Sequence, residues 1–280
     1  MLPHVIVINL DRDVERMAHM RRQLDEAGLP FQRFAAIQGD KLLPDLSAYF
    51  EGCRTLSRGE IGCYASHLRI CTMMVQGRLP SPLLVLEDDI AFESGFTGTF
   101  RALLTALPSN WDIVRLSYPT KRSTLRVAPL GARYDLVRYS HVPTSTGAYL
   151  LSQAGARKFL ATRKRELPVD QDLRRVWAWG LQTYGISPPP VRNDCFGAST
   201  IDTYSPGGRE TPARTTWMKA KRWLEAPRRQ VHGFREFGPA RWMALEAVNL
   251  LGRFTPRRRR SQLYAWASAR LAQTARGSTA

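Results

Sequence analysis

Three consecutive carboxylates, Glu87-Asp88-Asp89, follow directly on the apolar run Leu83-Leu84-Val85-Leu86. Adjacent negative charges repel, and a chain that keeps them beside a buried segment needs a compensating cation or hydrogen-bond donors. Hard oxygen ligands of this kind suit Mg²⁺ or Mn²⁺, which bind through one or two carboxylates plus the phosphates of a substrate. Four branched aliphatic residues without alternation read as a strand buried on both faces, with the acids at its carboxyl end, where open α/β sheets bind ligands. Side-chain alternation predicts Glu87 and Asp89 on one side and Asp88 on the other. Taken alone, the triplet could equally be a solvated turn.

Three further groups could take part. Asp11, Arg12 and Arg16 follow the apolar run Val5-Ile6-Val7-Ile8, where a guanidinium can meet a phosphate, although solvated helix-face charges explain them as well. Asp170 and Asp172 follow Pro168 and precede Trp177 and Trp179; such acids also occur simply as complements to a helix macrodipole. His67 sits in an amphipathic pattern, where a histidine most often bonds to neighbouring backbone.

The elements that must position these groups are legible as alternating strands and helices. Val5–Ile8 reads as a strand, followed by a helix through Val14, Met17, Arg21 and Leu24 that ends at Gly28 and Pro30. Ser57 and Glu60 form a capping box, and Ile61, Tyr64, Leu68, Cys71 and Val75 continue one face to Gly77, predicting a helix from about Arg58 to Gln76. Lying between the first strands and the acidic strand, this helix is the crossover of a βαβ unit. A helix over Thr99–Leu107, a strand over Trp111–Leu116, and a strand at Thr146–Ser152 whose Ser152 caps a helix from Gln153 to about Arg163 follow. Residues 118–135, rich in Pro, Ser, Thr, Arg and Gly, read as a long surface loop. The pattern predicts an α/β fold with a mainly parallel central sheet flanked by helices.

With 280 residues and 44% hydrophobic content, the chain can bury a sizeable core. The first ten residues hold too short an apolar run for a secretion signal, and no stretch has membrane-spanning length. Cys53, Cys63, Cys71 and Cys195 show no metal-finger spacing; on one helix Cys63 and Cys71 would lie about 12 Å apart, beyond disulfide reach. Free thiols in a reducing cytoplasm are expected. The net charge is +17, and from Arg209 onward 16 Arg and Lys stand against 4 acids. Arginine outnumbers lysine 35 to 6, a bias that anion recognition or genome base composition could each produce. In that last quarter Trp217, Trp223, Trp242, Phe254 and Trp266 are interspersed with basic residues, including the block Arg257-Arg258-Arg259-Arg260. Aromatic residues beside basic clusters suit an anionic membrane surface; nucleic acid is the less favoured partner.

Several blocks in order resemble family 25 glycosyltransferases, which include bacterial lipooligosaccharide and collagen galactosyltransferases. They are Val5-Ile6-Val7-Ile8-Asn9-Leu10 with Arg12 and Arg16, Leu56-Ser57-Arg58-Gly59-Glu60-Ile61-Gly62-Cys63 with Ser66-His67-Leu68, Leu86-Glu87-Asp88-Asp89, Gly147-Ala148-Tyr149, and Pro168-Val169-Asp170-Gln171-Asp172-Leu173. The resemblance covers about residues 3–205, and no counterpart is evident from Pro206 onward. It implies a GT-A-type nucleotide-sugar-binding fold over 1–205, while the composition of 206–280 reads as a basic, helical extension suited to a membrane surface. It also implies a UDP-sugar donor, commonly UDP-galactose, a saccharide acceptor that is lipid-linked in lipopolysaccharide biosynthesis, Mn²⁺ or Mg²⁺, and inversion at the anomeric carbon. The protein would then work at the inner face of the cytoplasmic membrane.

On this resemblance Asp89, with Glu87 or Asp88, holds the metal, and Asn9, Arg12, Arg16, Glu87 and Asp88 meet the donor. Direct displacement needs a carboxylate to take the proton of the acceptor hydroxyl. Asp170 and Asp172 are the candidates, and Asp172 is preferred because a position just after Pro168 would occupy Asp170 with backbone amides. Trp177 and Trp179 offer faces for the acceptor sugar, or simply pack in the core. Two alternatives stand beside this reading: an inactive glycosyltransferase scaffold acting as a basic binding module, and a sugar nucleotidyltransferase. The latter usually carries a glycine-rich loop after its first strand, and residues 9–16 contain no glycine.

Overall fold

The computed structural model describes residues 2–193, 195–196 and 212–273. Its centre is an eight-stranded sheet ordered β2-β1-β3-β8-β5-β9-β7-β6. The strands are β1 (His4–Asn9), β2 (Phe31–Ala35), β3 (Leu83–Glu87), β5 (Ile113–Arg115), β6 (Thr124–Leu130), β7 (Tyr134–Tyr139), β8 (Ala148–Leu151) and β9 (Thr183–Ser187), while β4 (Ala91–Phe92) and β10 (Val191–Arg192) form a small antiparallel pair. The sheet expected to be mainly parallel is mixed. β1/β2, β1/β3 and β5/β9 are parallel; β3/β8, β5/β8, β7/β9 and β6/β7 are antiparallel.

Both faces of the sheet are covered, which explains the continuous apolar runs. Ile6, Ile8, Leu83 and Val85 pack against α3 (Arg58–Val75) and α5 (Gln153–Phe159), whereas Val5, Val7, Leu84 and Leu86 pack against α1 (Val14–Glu26) and α4 (Phe96–Ala106). The short helix α2 (Pro44–Ser47) sits beside α3. The capping box of α3 is formed in both directions, between the Ser57 side chain and the Glu60 amide and between the Glu60 side chain and the Ser57 amide. Ser152 caps α5 by accepting from the Gly155 amide at 3.0 Å. All four cysteines are free.

One expectation needs correction. Residues 118–135 are not one long loop: β6 and most of the turn into β7 lie there, closing one edge of the sheet. Pro129 and Gly131 broke the sequence signal, yet the hairpin forms because β7 pairs with β9 on one side and with β6 on the other. The C-terminal extension is helical as expected, through α8 (Pro212–Leu224), α9 (Ala226–Phe237), α10 (Pro239–Phe254) and α11 (Arg257–Gln273), and it packs onto the sheet domain. Asn249 accepts from the Ser123 amide at 2.8 Å and donates to Ser140 at 3.1 Å. Trp242, Phe237 and Leu245 form a small core with Leu125 and Leu271. Gly233 permits this, since a Cβ there would lie 2.2 Å from the Trp242 ring. The expected boundary at 205/206 falls outside the described residues.

Candidate functional site

Parallel pairing sets Ile8 beside Glu87, so the carboxyl ends of β1 and β3 open together into a cleft of about 790 Å³. The amino-terminal half of α3 forms a second wall and residues 36–40 a third. The Ile37 amide donates to Ser66 Oγ at 2.9 Å, which in turn donates to the Gly62 carbonyl at 2.9 Å. A Cβ on Gly62 would stand 2.4 Å from the Ile37 carbonyl oxygen, and one on Gly39 would stand 1.9 Å from that of Arg58. Glycine at both positions lets the two walls approach.

Glu87 and Asp88 part to opposite sides, as the alternation predicts for that pair. Glu87 lies on the α3 side, 3.5 Å from His67 Nε2, and accepts from Thr146 Oγ1. Asp88 turns toward α1, accepting from Asn9 Nδ2 at 2.7 Å and from Arg16 at 3.2 Å. Burial alone would raise the pKa of Glu87, but His67, Thr146 and Arg115 hold it below the usual value. Burial raises that of Asp88 despite Asn9 and Arg16. Asp89 is pushed up to about 7, first by burial and then by Glu87 and Asp88. Its Oδ1 is buried without a hydrogen-bond partner. A carboxylate crowded by two others and left with an unmet acceptor is what a divalent cation would stabilise, so Glu87, Asp88 and Asp89 fit such an ion. A softer donor set adjoins them: ligand atoms of Cys63, His67 and Glu87 lie within 4.8 Å of one another.

The remaining candidates are placed less simply. Asn9 is buried and committed: Nδ2 serves Asp88 and the Asp13 carbonyl, and Oδ1 accepts from Arg33, so it orients Asp88 rather than facing a donor directly. Arg16 lines the cleft, whereas Arg12 is half exposed beside Asp13 and is not among the lining residues. His67 bonds side chains and not backbone, with Nδ1 2.8 Å from the Tyr149 hydroxyl.

Asp170 meets a backbone amide as expected, whereas Asp172, expected to be freer to face the cleft, is committed to the core. Both belong to α6 (Val169–Leu173). Asp172 is 2% exposed and accepts from the Tyr64 hydroxyl at 2.8 Å and from Arg175 at 2.6 Å, which ties α6 to α3. Asp170 accepts from the Gln171 amide at 2.8 Å and faces the charges of Arg115 and Glu87, with its pKa raised by burial. Asp172 is a tie within the core, and Asp170 is half-buried with no ion pair among the described residues. Trp179, in α7 (Val176–Trp179), is buried, donates to the Asp172 carbonyl and packs on Arg165, so it offers no sugar platform. Trp177 lines a different cavity, against the C-terminal helices.

Sequence reasoning missed Arg115. It is 1% exposed, none of its three guanidinium nitrogens has a hydrogen-bond partner among the described residues, and burial lowers its pKa against the opposing charges of Asp170 and Glu87. The only signal was a cation inside the apolar run Ile113-Val114-Arg115-Leu116.

Comparison with known proteins agrees with the motif blocks. The family model described as glycosyltransferase family 25 (LPS biosynthesis protein) matches residues 2–173, more than half of the chain. A glycosyltransferase 25 family member of Drosophila pseudoobscura pseudoobscura is 34% identical over 61% of this chain and 29% of its own length. Procollagen galactosyltransferase 1 of Danio rerio is 30% identical over 60% of this chain and 30% of its own. The inactive glycosyltransferase 25 family member 3 of Homo sapiens is 29% identical over 82% of this chain and 44% of its own. Residues 1–205 make up less than that 82%, so the last alignment reaches into the extension. The chain spans less than half the length of these curated relatives. On the extent of the family match and the placement of its motif residues around one cleft, the chain belongs to glycosyltransferase family 25.

Proposed function

We propose that the protein is an inverting, metal-dependent hexosyltransferase of GT-A type that moves a hexose, with galactose the first to test, from a UDP-sugar to a saccharide acceptor of a cell-surface glycan such as lipopolysaccharide. The observation that carries the reading is the buried, unpaired Asp89 Oδ1 beside two further carboxylates at the mouth of a family 25 cleft. A bound Mn²⁺ or Mg²⁺ supplies charge neutralisation for the departing nucleoside diphosphate. Asp89 and Glu87 hold the ion, while Asp88, fixed by Asn9 and Arg16, faces the donor and Arg16 supplies positive charge at the cleft wall. Asp170 takes the proton from the acceptor hydroxyl, and burial supports this role by raising its basicity.

The outer face of the C-terminal helices supports contact with an anionic membrane that carries a lipid-linked acceptor. Trp223 and Phe254 are each 82% exposed, with Met243, Leu250 and Leu251 also exposed, next to Arg257–Arg260. No described helix is long and apolar enough to cross a membrane. On this reading the protein works peripherally at the inner face of the cytoplasmic membrane. The deciding experiment screens a panel of UDP-sugars for Mn²⁺-dependent hydrolysis and transfer. One UDP-sugar turned over only with metal is expected. Protection from thermal unfolding without turnover of any donor would instead favour an inactive member, the description carried by the human relative.

A further inference from the structure

A second cavity, of about 1050 Å³, lies between α6 and α7 on one side and α8 and α9 on the other. Three of its cations are neutralised within the fold, Arg175 by both oxygens of Glu225, Arg138 by Glu236 and Lys221 by Glu166. Three are not: Arg174, Arg222 and Arg229 have no carboxylate partner among the described residues. Arg174 and Arg222 converge on one neutral acceptor, Gln171 Oε1, each at 3.2 Å. Arg229 Nε is buried without a hydrogen-bond partner. The excess positive charge is felt by His141 in the same wall, pushed down to about 3 by burial and then by Arg229, Arg122, Arg174 and Arg253.

Two uncharged donors in the wall are also unmet. Thr183 is 9% exposed and its Oγ1 has no partner, and neither has Trp177 Nε1. Buried donors left unsatisfied are uncommon in folded proteins and call for an explanation. Guanidinium groups without carboxylates, beside an indole and a hydroxyl, match a ligand that has an anionic group and a sugar ring.

α6 lies in the wall of this cavity, and the charge of Glu87 in the cleft acts on its Asp170. Arg174 follows Asp170 by four residues, roughly one helical turn or 5 Å of rise. Asp170 is among the charges acting on Arg174, so the two side chains are near one another.

We propose that this cavity is the acceptor subsite and that it takes an anionic saccharide, one bearing a phosphate or carboxylate about one sugar residue from the hydroxyl that is glycosylated. The proposal rests on the reading of Asp170 given above. Donor chemistry sits in the cleft made by residues shared with the family, and selection of the acceptor sits where the C-terminal helices close over α6.

Isothermal titration of the full chain with galactose 6-phosphate, galacturonate, galactose and inorganic phosphate tests this. At least one of the two anionic sugars should bind about tenfold or more tightly than galactose and than inorganic phosphate, and the preferred one distinguishes phosphate from carboxylate. Arg222→Gln should weaken that ligand by about tenfold and Arg222→Lys by less, with unchanged melting temperatures because Arg222 is exposed. Equal affinity for galactose, equal affinity for inorganic phosphate, or full affinity in Arg222→Gln would overturn the proposal. Mn²⁺-dependent hydrolysis of the same panel of UDP-sugars by the unaltered protein is measured in parallel. Selective anionic-sugar binding without hydrolysis of any UDP-sugar would sink the transferase reading and leave the binding site standing.

Discussion

The cleft and the second cavity are opposite in charge and alike in construction. In the cleft, Glu87, Asp88 and Asp89 crowd together and Asp89 Oδ1 has no hydrogen-bond partner among the described residues; in the cavity, Arg174, Arg222 and Arg229 gather without an ion-paired carboxylate among those residues. Folding alone disfavours both arrangements, since like charges repel and buried polar atoms without partners cost about 1–3 kcal/mol each. The contrast with Asp172 is instructive. That acid is more deeply buried, yet Tyr64 and Arg175 satisfy it, so it reports stability and not ligand binding. The molecule thus distinguishes charges held for the fold from charges held for something outside it.

Removing a charge from the cleft should have the largest effect. Asp89→Ala is expected to reduce metal-dependent transfer to background and weaken donor binding while the fold persists; full turnover with Mn²⁺ would break the comparison. The same residue predicts a pH dependence. Its folded pKa, about 7, lies above the unfolded value, so this carboxyl supports the metal-free fold fully below about pH 4, and that support is lost as the pH rises through 7. Thermal unfolding in chelator should show the decline, and Asp89→Asn should flatten it.

Next in size is the pair on α6. Asp170→Asn should lower transfer by roughly 100-fold to 10,000-fold with donor affinity retained. Asp172→Asn should instead lower stability by about 1.5–3 kcal/mol, because Arg175 keeps Glu225 while losing its second partner. Turnover, donor affinity and melting temperature of both variants would show the assignment reversed if Asp172→Asn alone abolished transfer.

The smallest effect on chemistry, though not on the fold, belongs to the helical cover. Trp242 is 2% exposed, and Trp242→Ala should cost about 3–5 kcal/mol. Anionic-sugar binding should fall before donor hydrolysis does as this variant is warmed. Parallel loss of both would mean that the cleft and the cavity unfold as one unit.

Much of this was legible in local patterns. The run Leu83-Leu84-Val85-Leu86 announces a strand buried on both faces, and the period of two divides Glu87 from Asp88 correctly. Ser57 with Glu60 announces the start of α3, and Gly77 its end. The β6/β7 hairpin was not legible, because Pro129 and Gly131 interrupt the alternation and its support comes from β9, distant in the chain. Arg115 looked like an ordinary strand residue until β8 and β9 flanked it.

By itself the sequence determined which segments are strands and helices around the cleft, where the acids must emerge, and which family motifs surround them, since these depend on periodicity, caps and turn residues within a few positions. Tertiary structure alone decided that Asp172 is tied into the core instead of facing the cleft. The outcome turns on how a five-residue helix is rotated against Tyr64, 108 residues away. It likewise decided that the C-terminal helices fold onto the sheet, through Asn249 and Ser123, 126 residues apart. A periodic pattern reports how much of a segment is buried, whereas the partner that buries it is chosen by packing across the whole chain.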